Sequence, residues 1–141
     1  MGRGDEQTPH WLGTGEPPTI LIAEDNEVER RCLERHLRRA GYDVVVARNG
    51  AEALDILRSR EVAAIVADHY MPQTSGLTLL TIASTTLPHV GRILISGSPD
   101  VDIAVEAINA GNVFRFLIKP IEPKRLLLVV RDAVEKSSRA A

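Results

Sequence analysis

Five residues able to do phosphate or metal chemistry stand where apolar runs of this sequence stop. Glu24 and Asp25 follow Thr19-Ile20-Leu21-Ile22-Ala23, and Asp68 follows Ala63-Ala64-Ile65-Val66-Ala67. Ser96 follows Ile93-Leu94-Ile95, and Lys119-Pro120 closes the run 113–118. Carboxylates held together repel unless a positive charge sits among them. A hard dication with oxygen ligands meets that need, and Mg²⁺ commonly takes one or two carboxylates, several waters and a phosphoryl oxygen. Lys119 brings a second, mobile positive charge. Such a set suits phosphoryl transfer, in which positioning and charge neutralisation supply most of the catalysis. It also suits an aspartyl-phosphate, with a carboxylate as the nucleophile.

These residues act together only if the fold brings the ends of the runs to one place. Most of the runs, 44–47 being the remaining one, are continuous rather than alternating, as in parallel strands buried on both faces. Segments with helical spacing lie between them. In the first, Val28, Cys32, Leu33, His36, Leu37 and Ala40 form an apolar face, and Arg30, Arg31, Glu34, Arg35, Arg38 and Arg39 cover the other. Asn26 is its expected cap, with Glu29 as capping-box partner, and Gly41 its stop. The second helix begins near Asn49-Gly50 and the third spans about 76–85. The fourth covers 99–110 with Val101, Ala104, Val105 and Ile108 inward, and the fifth runs from Glu122-Pro123 to about Lys136. Strict alternation of strand and helix predicts a doubly wound α/β fold, a five-stranded parallel sheet with helices on both faces and right-handed crossovers. Ligands of such sheets collect outside the carboxyl ends of the strands, where the five residues fall.

The fragments Ala23-Glu24-Asp25-Asn26, Val66-Ala67-Asp68-His69-Tyr70-Met71-Pro72 with Gly76, Leu94-Ile95-Ser96-Gly97 and Phe116-Leu117-Ile118-Lys119-Pro120 stand in order, each at a strand end. With them the stretch 18–137 resembles the receiver domain of two-component response regulators. The resemblance implies the flavodoxin-like strand order 2-1-3-4-5 with five helices. It implies that Asp68 is the phosphoacceptor, attacking the phosphohistidine of a sensor histidine kinase or phosphotransfer protein. Asp25 would be the principal Mg²⁺ ligand and Glu24 would hold the ion through water. Asp68 itself and the backbone carbonyl of Tyr70 would complete the protein's share. Ser96 would bond one phosphoryl oxygen and Lys119 would pair with another, from a Lys-Pro peptide that is often cis in the family. Phe116 would be the switch aromatic, turning inward as Ser96 moves. Four departures from the family pattern stand out. The acidic pair is Glu-Asp rather than Asp-Asp. Ser96 replaces the usual Thr, keeping the hydrogen bond and losing a packing methyl. Phe116 has no hydroxyl to anchor its inward state. Tyr70, at a position that tunes phosphoryl lifetime, is bulky enough to shield the phosphoryl group from water. Residues 111–120 look like those of receivers that precede cyclic-dinucleotide phosphodiesterase or hybrid signalling domains.

At 141 residues, 44% hydrophobic and 26% charged, the chain has the size and composition of one soluble domain. Its net charge of −2 lacks the basic excess of proteins that grip phosphate backbones, so direct nucleic-acid binding is not expected. No apolar run approaches the ~20 residues that span a bilayer. The N-terminus has no signal-peptide stretch, and the single Cys32 excludes an internal disulfide. A cytoplasmic protein is expected. Residues 1–17 read as a flexible leader, 18–137 as the receiver domain and 138–141 as a C-terminal tail. In the last helix Leu126, Leu127, Val130, Ala133 and Val134 suffice to face the sheet, which leaves Leu128 and Val129 outward. Neighbouring exposed apolar residues point to a partner or homodimer face built from the fourth helix, fifth strand and fifth helix. Phe114 and Phe116, two apart, are expected on one face of the strand. The competing reading is a receiver-like interaction module that is never phosphorylated. The loops are too short for the substrate cap of a hydrolytic phosphatase, and no Gly-rich loop follows strand one to bind a nucleotide.

Overall fold

The computed structural model describes residues 15–97, 101–110 and 112–140. Most of the expected leader, Pro99, Gly111 and the side chains of Val101 and Ala104 lie outside the described residues. Among the described residues the strands β1 (Thr19–Ala23), β2 (Asp43–Ala47), β3 (Ala64–Asp68), β4 (Gly91–Ser96) and β5 (Arg115–Ile118) alternate with the helices α1 (Glu27–Arg39), α2 (Gly50–Ser59), α3 (Gly76–Thr86), α4 (Val101–Asn109) and α5 (Pro123–Ala140). The strands form one sheet in the order β2-β1-β3-β4-β5, and every neighbouring pair is parallel. This is the doubly wound, flavodoxin-like arrangement. Its order reverses between β1 and β3, and that reversal places Glu24 and Asp68 side by side.

Every residue of β1 and β3 is buried, as their unbroken apolar runs require of strands covered on both faces. Leu37 of α1 and Leu126, Val130 and Ala133 of α5 pack with Ile20, Ile22, Val66 and Ile95 on one face. Ala53 of α2, Leu79, Leu80 and Ala83 of α3 and Ala107 of α4 pack with Leu21, Ile65 and Leu94 on the other. The expected cap and stop of α1 act as read. Asn26 Oδ1 accepts the Glu29 N–H at 2.9 Å. Gly41, at φ +100°, closes a Schellman turn in which its N–H reaches the Arg38 carbonyl and that of Tyr42 reaches Leu37.

Several inward assignments change. Val28 is 78% exposed because it stands in the first turn of α1, beyond the end of β1, with no strand beneath it. Ala40, the C-cap of α1, is exposed as well. In α4, Val105 and Ile108 are exposed and, among the described side chains, Ala107 is the buried one; the short edge strand β5 lies under this helix. Val129 is buried, not outward, because α5 packs across β4, β3 and α1 together and a wider arc of its surface is covered. Leu128 remains exposed. Helix α5 continues to Ala140, past the expected helix end near Lys136. Phe114 and Phe116 lie on opposite faces, since the chain bends before β5 begins at Arg115. Phe114 packs toward α5 with the Lys136 ammonium 4.6 Å from its ring centroid, and Phe116 packs on the α4 side. No helix among the described residues is long and apolar enough to cross a membrane.

Candidate functional site

Backbone bonds at the carboxyl edge of the sheet fix the loops that carry the site. The Glu24 N–H donates to the Ala47 carbonyl at 3.0 Å, and that of His69 to Ile95 at 2.7 Å. The Lys119 N–H donates to Ser96 at 2.8 Å, tying the end of β5 to the end of β4. The Lys119–Pro120 peptide is cis. After Asp68 the chain turns through His69 to Gly76, whose N–H returns to the His69 carbonyl. A Cβ at Gly76 would collide with the Asp68 backbone carbonyl, so this turn closes only on glycine. Arg30 Nη1 donates to the Glu24 carbonyl at 3.0 Å and the Asp25 carbonyl at 3.4 Å, holding the acidic turn from the side of α1.

These constraints bring carboxylate oxygens of Glu24, Asp25 and Asp68 within 4.8 Å of one another. Glu24 and Asp68 are 1% and 5% exposed, while Asp25 opens to solvent. Lys119 Nζ lies 3.3 Å from Glu24, 3.2 Å from Asp68 Oδ1 and 2.5 Å from Glu29. Burial, and then the charge of Asp68, push the Glu24 carboxyl up from 4.5 to about 7, against the Asn26 N–H and Lys119. Burial likewise raises Asp68; Lys119 opposes it, and the charges of Glu29 and Asp25 add to it. Burial alone would lower Lys119, but the Glu29 hydrogen bond, then the charge of Glu24 and the Asp68 contact, hold its ammonium above the ordinary lysine range.

One ammonium among four carboxylates leaves the site short of positive charge. Asp68 Oδ1 is buried and accepts no hydrogen bond that offsets its desolvation, the Lys119 ion pair apart. All the donors are hard oxygens on one edge of a cleft, and that set fits a small dication such as Mg²⁺.

Of the other expected residues, Ser96 is buried at the end of β4, next to the strand that carries Asp68. Tyr70 is 52% exposed and lines the cleft with Asn26 and Gly97; its ring meets His69 edge-on at 4.7 Å. Phe116 is half-buried in β5. Two residues of the site escape a reading by motif. Arg30 looks like part of the solvated face of α1, and Glu29 looks like a capping-box acid. The N–H that Glu29 was expected to cap, that of Asn26, is taken by Glu24 Oε2 at 3.2 Å, and the Glu29 carboxylate turns to Lys119 instead. The signal lay in Glu24, an acid two residues before the cap and able to serve that N–H itself.

Comparison with known proteins agrees with this geometry. The description of the response regulator receiver domain matches residues 20–131. The transcriptional regulatory protein GlrR of Escherichia coli K12 is 31% identical over 124 residues, which is 88% of this chain and 28% of that protein. The sensor kinase CckA of Brucella abortus is 36% identical over 120 residues, 84% of this chain and 13% of that protein. This chain thus spans under a third of the curated relatives it matches. Among solved structures, the signal receiver domain of an HD domain-containing protein from Pseudomonas fluorescens Pf-5 superimposes with a TM-score of 0.81 at 36% identity, covering 86% of this chain and 97% of that one.

Proposed function

This chain belongs to the response regulator receiver domain family, and from that membership we propose that it is a signalling switch with Asp68 as its phosphoacceptor. The observation that carries the reading is the buried Asp68 carboxylate, 3.2 Å from Lys119 and grouped with Glu24 and Asp25. A sensor histidine kinase or phosphotransfer protein is the donor. An Asp68 carboxylate oxygen attacks the phosphorus of its phosphohistidine, the P–N bond breaks with its electron pair left on the imidazole, and an aspartyl-phosphate forms. Glu24, Asp25, Asp68 and the Tyr70 carbonyl are the groups that would hold Mg²⁺, which when bound offsets the negative charge of the transferring group. Lys119 supplies positive charge to one phosphoryl oxygen, and the Ser96 hydroxyl donates to another. Tyr70, at the rim, screens the product from water.

Phosphorylation adds charge and strong acceptor oxygens beside Ser96 and Lys119, and Phe116 follows them inward. The readout face is α4, β5 and α5, where Val105, Ile108, Ile118 and Leu128 are exposed. That face takes a protein partner or a second copy, in the cytoplasm and without direct contact to nucleic acid; sedimentation before and after phosphorylation tests the second copy.

The deciding experiment is intact mass after incubation with acetyl phosphate, with and without Mg²⁺. A single Mg²⁺-dependent phosphoryl adduct that Asp68→Ala abolishes is expected. An unmodified chain, under conditions that modify another receiver, would replace this reading with a constitutive interaction module.

A further inference from the structure

We propose that Glu29 is a positioning residue that holds Lys119 in the unphosphorylated protein and slows phosphoryl uptake by competing for its ammonium. The inference rests on Asp68 being the phosphoacceptor. A lysine ammonium has three N–H donors and no more. Here three carboxylates surround it: Glu29 at 2.5 Å, Asp68 at 3.2 Å and Glu24 at 3.3 Å. Asp68 Oδ1 stands in ion-pair range without a hydrogen bond, while Glu24 and Glu29 hold the ammonium from the other sides, so a phosphoryl oxygen arriving on Asp68 competes with these two for Lys119.

The structure distinguishes among them. Glu24 has a side chain 1% exposed, and its other oxygen holds the Asn26 N–H, so it has no water to turn to. Asp68 carries the incoming group itself. The Glu29 side chain is 43% exposed on the first turn of α1, and it swings to solvent at small cost. Its presence in the cleft is not a by-product of helix capping, because the Asn26 side chain caps its N–H while its own carboxylate caps nothing. The exchange is one contact for another: Lys119–Glu29 opens as Lys119–phosphoryl forms. The Glu29 charge thus favours the unphosphorylated state and retards entry into the other.

The test is the initial rate of phosphorylation by acetyl phosphate at saturating Mg²⁺, followed by intact mass, for the parent, Glu29→Gln, Lys119→Ala and the double variant. Gln keeps the size of the side chain on a half-exposed position, and circular dichroism melts check that the fold is kept. Glu29→Gln is expected to take up phosphoryl about two- to fivefold faster than the parent, the range of a part-exposed ion pair. In the Lys119→Ala background the same change is expected to do nothing. A rate equal to or below that of the parent overturns the inference. So does equal acceleration in both backgrounds, since that is plain repulsion of an anionic donor. If Lys119→Ala reacts too slowly to time, the ¹H–¹⁵N signal of the Lys119 ammonium in metal-free protein decides, and a signal that Glu29→Gln leaves unchanged also overturns it. A parent that takes no phosphoryl removes the Asp68 reading and this one together, whereas a modified parent with an indifferent Glu29→Gln removes only this one.

Discussion

Among the described residues Lys119 is the cation that touches the carboxylates of the cleft, and its stem is long enough to serve Glu24, Glu29 and Asp68. A mobile ammonium of this kind has two separable tasks, charge neutralisation during transfer and linkage of the phosphoryl group to the loop after β5. Transfer has a second source of positive charge in the dication that the acidic set fits, whereas the linkage has none. Lys119→Ala is therefore expected to leave the phosphoryl adduct on Asp68, formed more slowly. The shifts of the Ser96 and Phe116 amide signals on phosphorylation, read in ¹H–¹⁵N spectra, are expected to vanish; shifts as large as in the parent would remove Lys119 from the switch. Glu24, Asp25, Asp68, Ser96 and Lys119 were legible because strand ends are marked by the loss of apolar character, and a polar residue at such an end has one edge of the sheet to occupy. Glu29 and Arg30 were not, because a helix-surface residue has several partners within reach and sequence spacing does not choose among them.

The elements matter here chiefly for the loops they hold shut. The turn from β3 to α3 carries Asp68, and it closes with the Gly76 N–H on the His69 carbonyl while the Gly76 Cα faces the Asp68 carbonyl. Gly76→Ala sets a methyl against backbone, which cannot move aside as a side chain tip can. A loss of roughly 1–3 kcal/mol is expected, the usual cost of overpacking, together with slower phosphorylation because Asp68 is displaced; urea unfolding and the acetyl phosphate assay read the two effects. Strands and helices themselves were legible where they are central. The unbroken runs 19–23 and 63–67 admit burial on both faces, and Asn26 and Gly41 bracket α1 as their capping chemistry demands. Legibility failed at the edge of the sheet. Phe114 precedes the bend into β5, so the two-residue period that would have paired it with Phe116 does not yet apply. In α4 and α5 the apolar stripes are ambiguous by themselves, and what lies beneath each helix, a short edge strand for α4 and β4, β3 and α1 for α5, decides that Val105 is exposed and Val129 covered.

At the scale of the whole molecule, the fold accepts a destabilised site, and pH exposes how much. In metal-free protein Glu24 is raised from 4.5 to about 7 and Asp68 is raised as well, both chiefly by burial. Between the unfolded and folded values the native state binds more protons than the unfolded chain, so stability declines as pH rises. The favourable contribution of protonated Glu24 is complete below about pH 4.5 and is lost as pH passes about 7. Lys119, raised above 10.5, keeps its contribution throughout this interval and loses it only at higher pH. With chelator present, the melting temperature is expected to fall between about pH 4.5 and about pH 7. Mg²⁺ reverses the trend, because its ligands must be deprotonated to bind and the stabilisation it gives grows with pH. Glu24→Gln removes the principal titrating group while keeping its shape, and should flatten the metal-free profile. A profile that stays as steep in Glu24→Gln would place the strain elsewhere in the molecule. A flattened one would mean that the buried acid end of β1, more than any surface charge, sets the balance between a stable fold and a site ready to take a phosphoryl group.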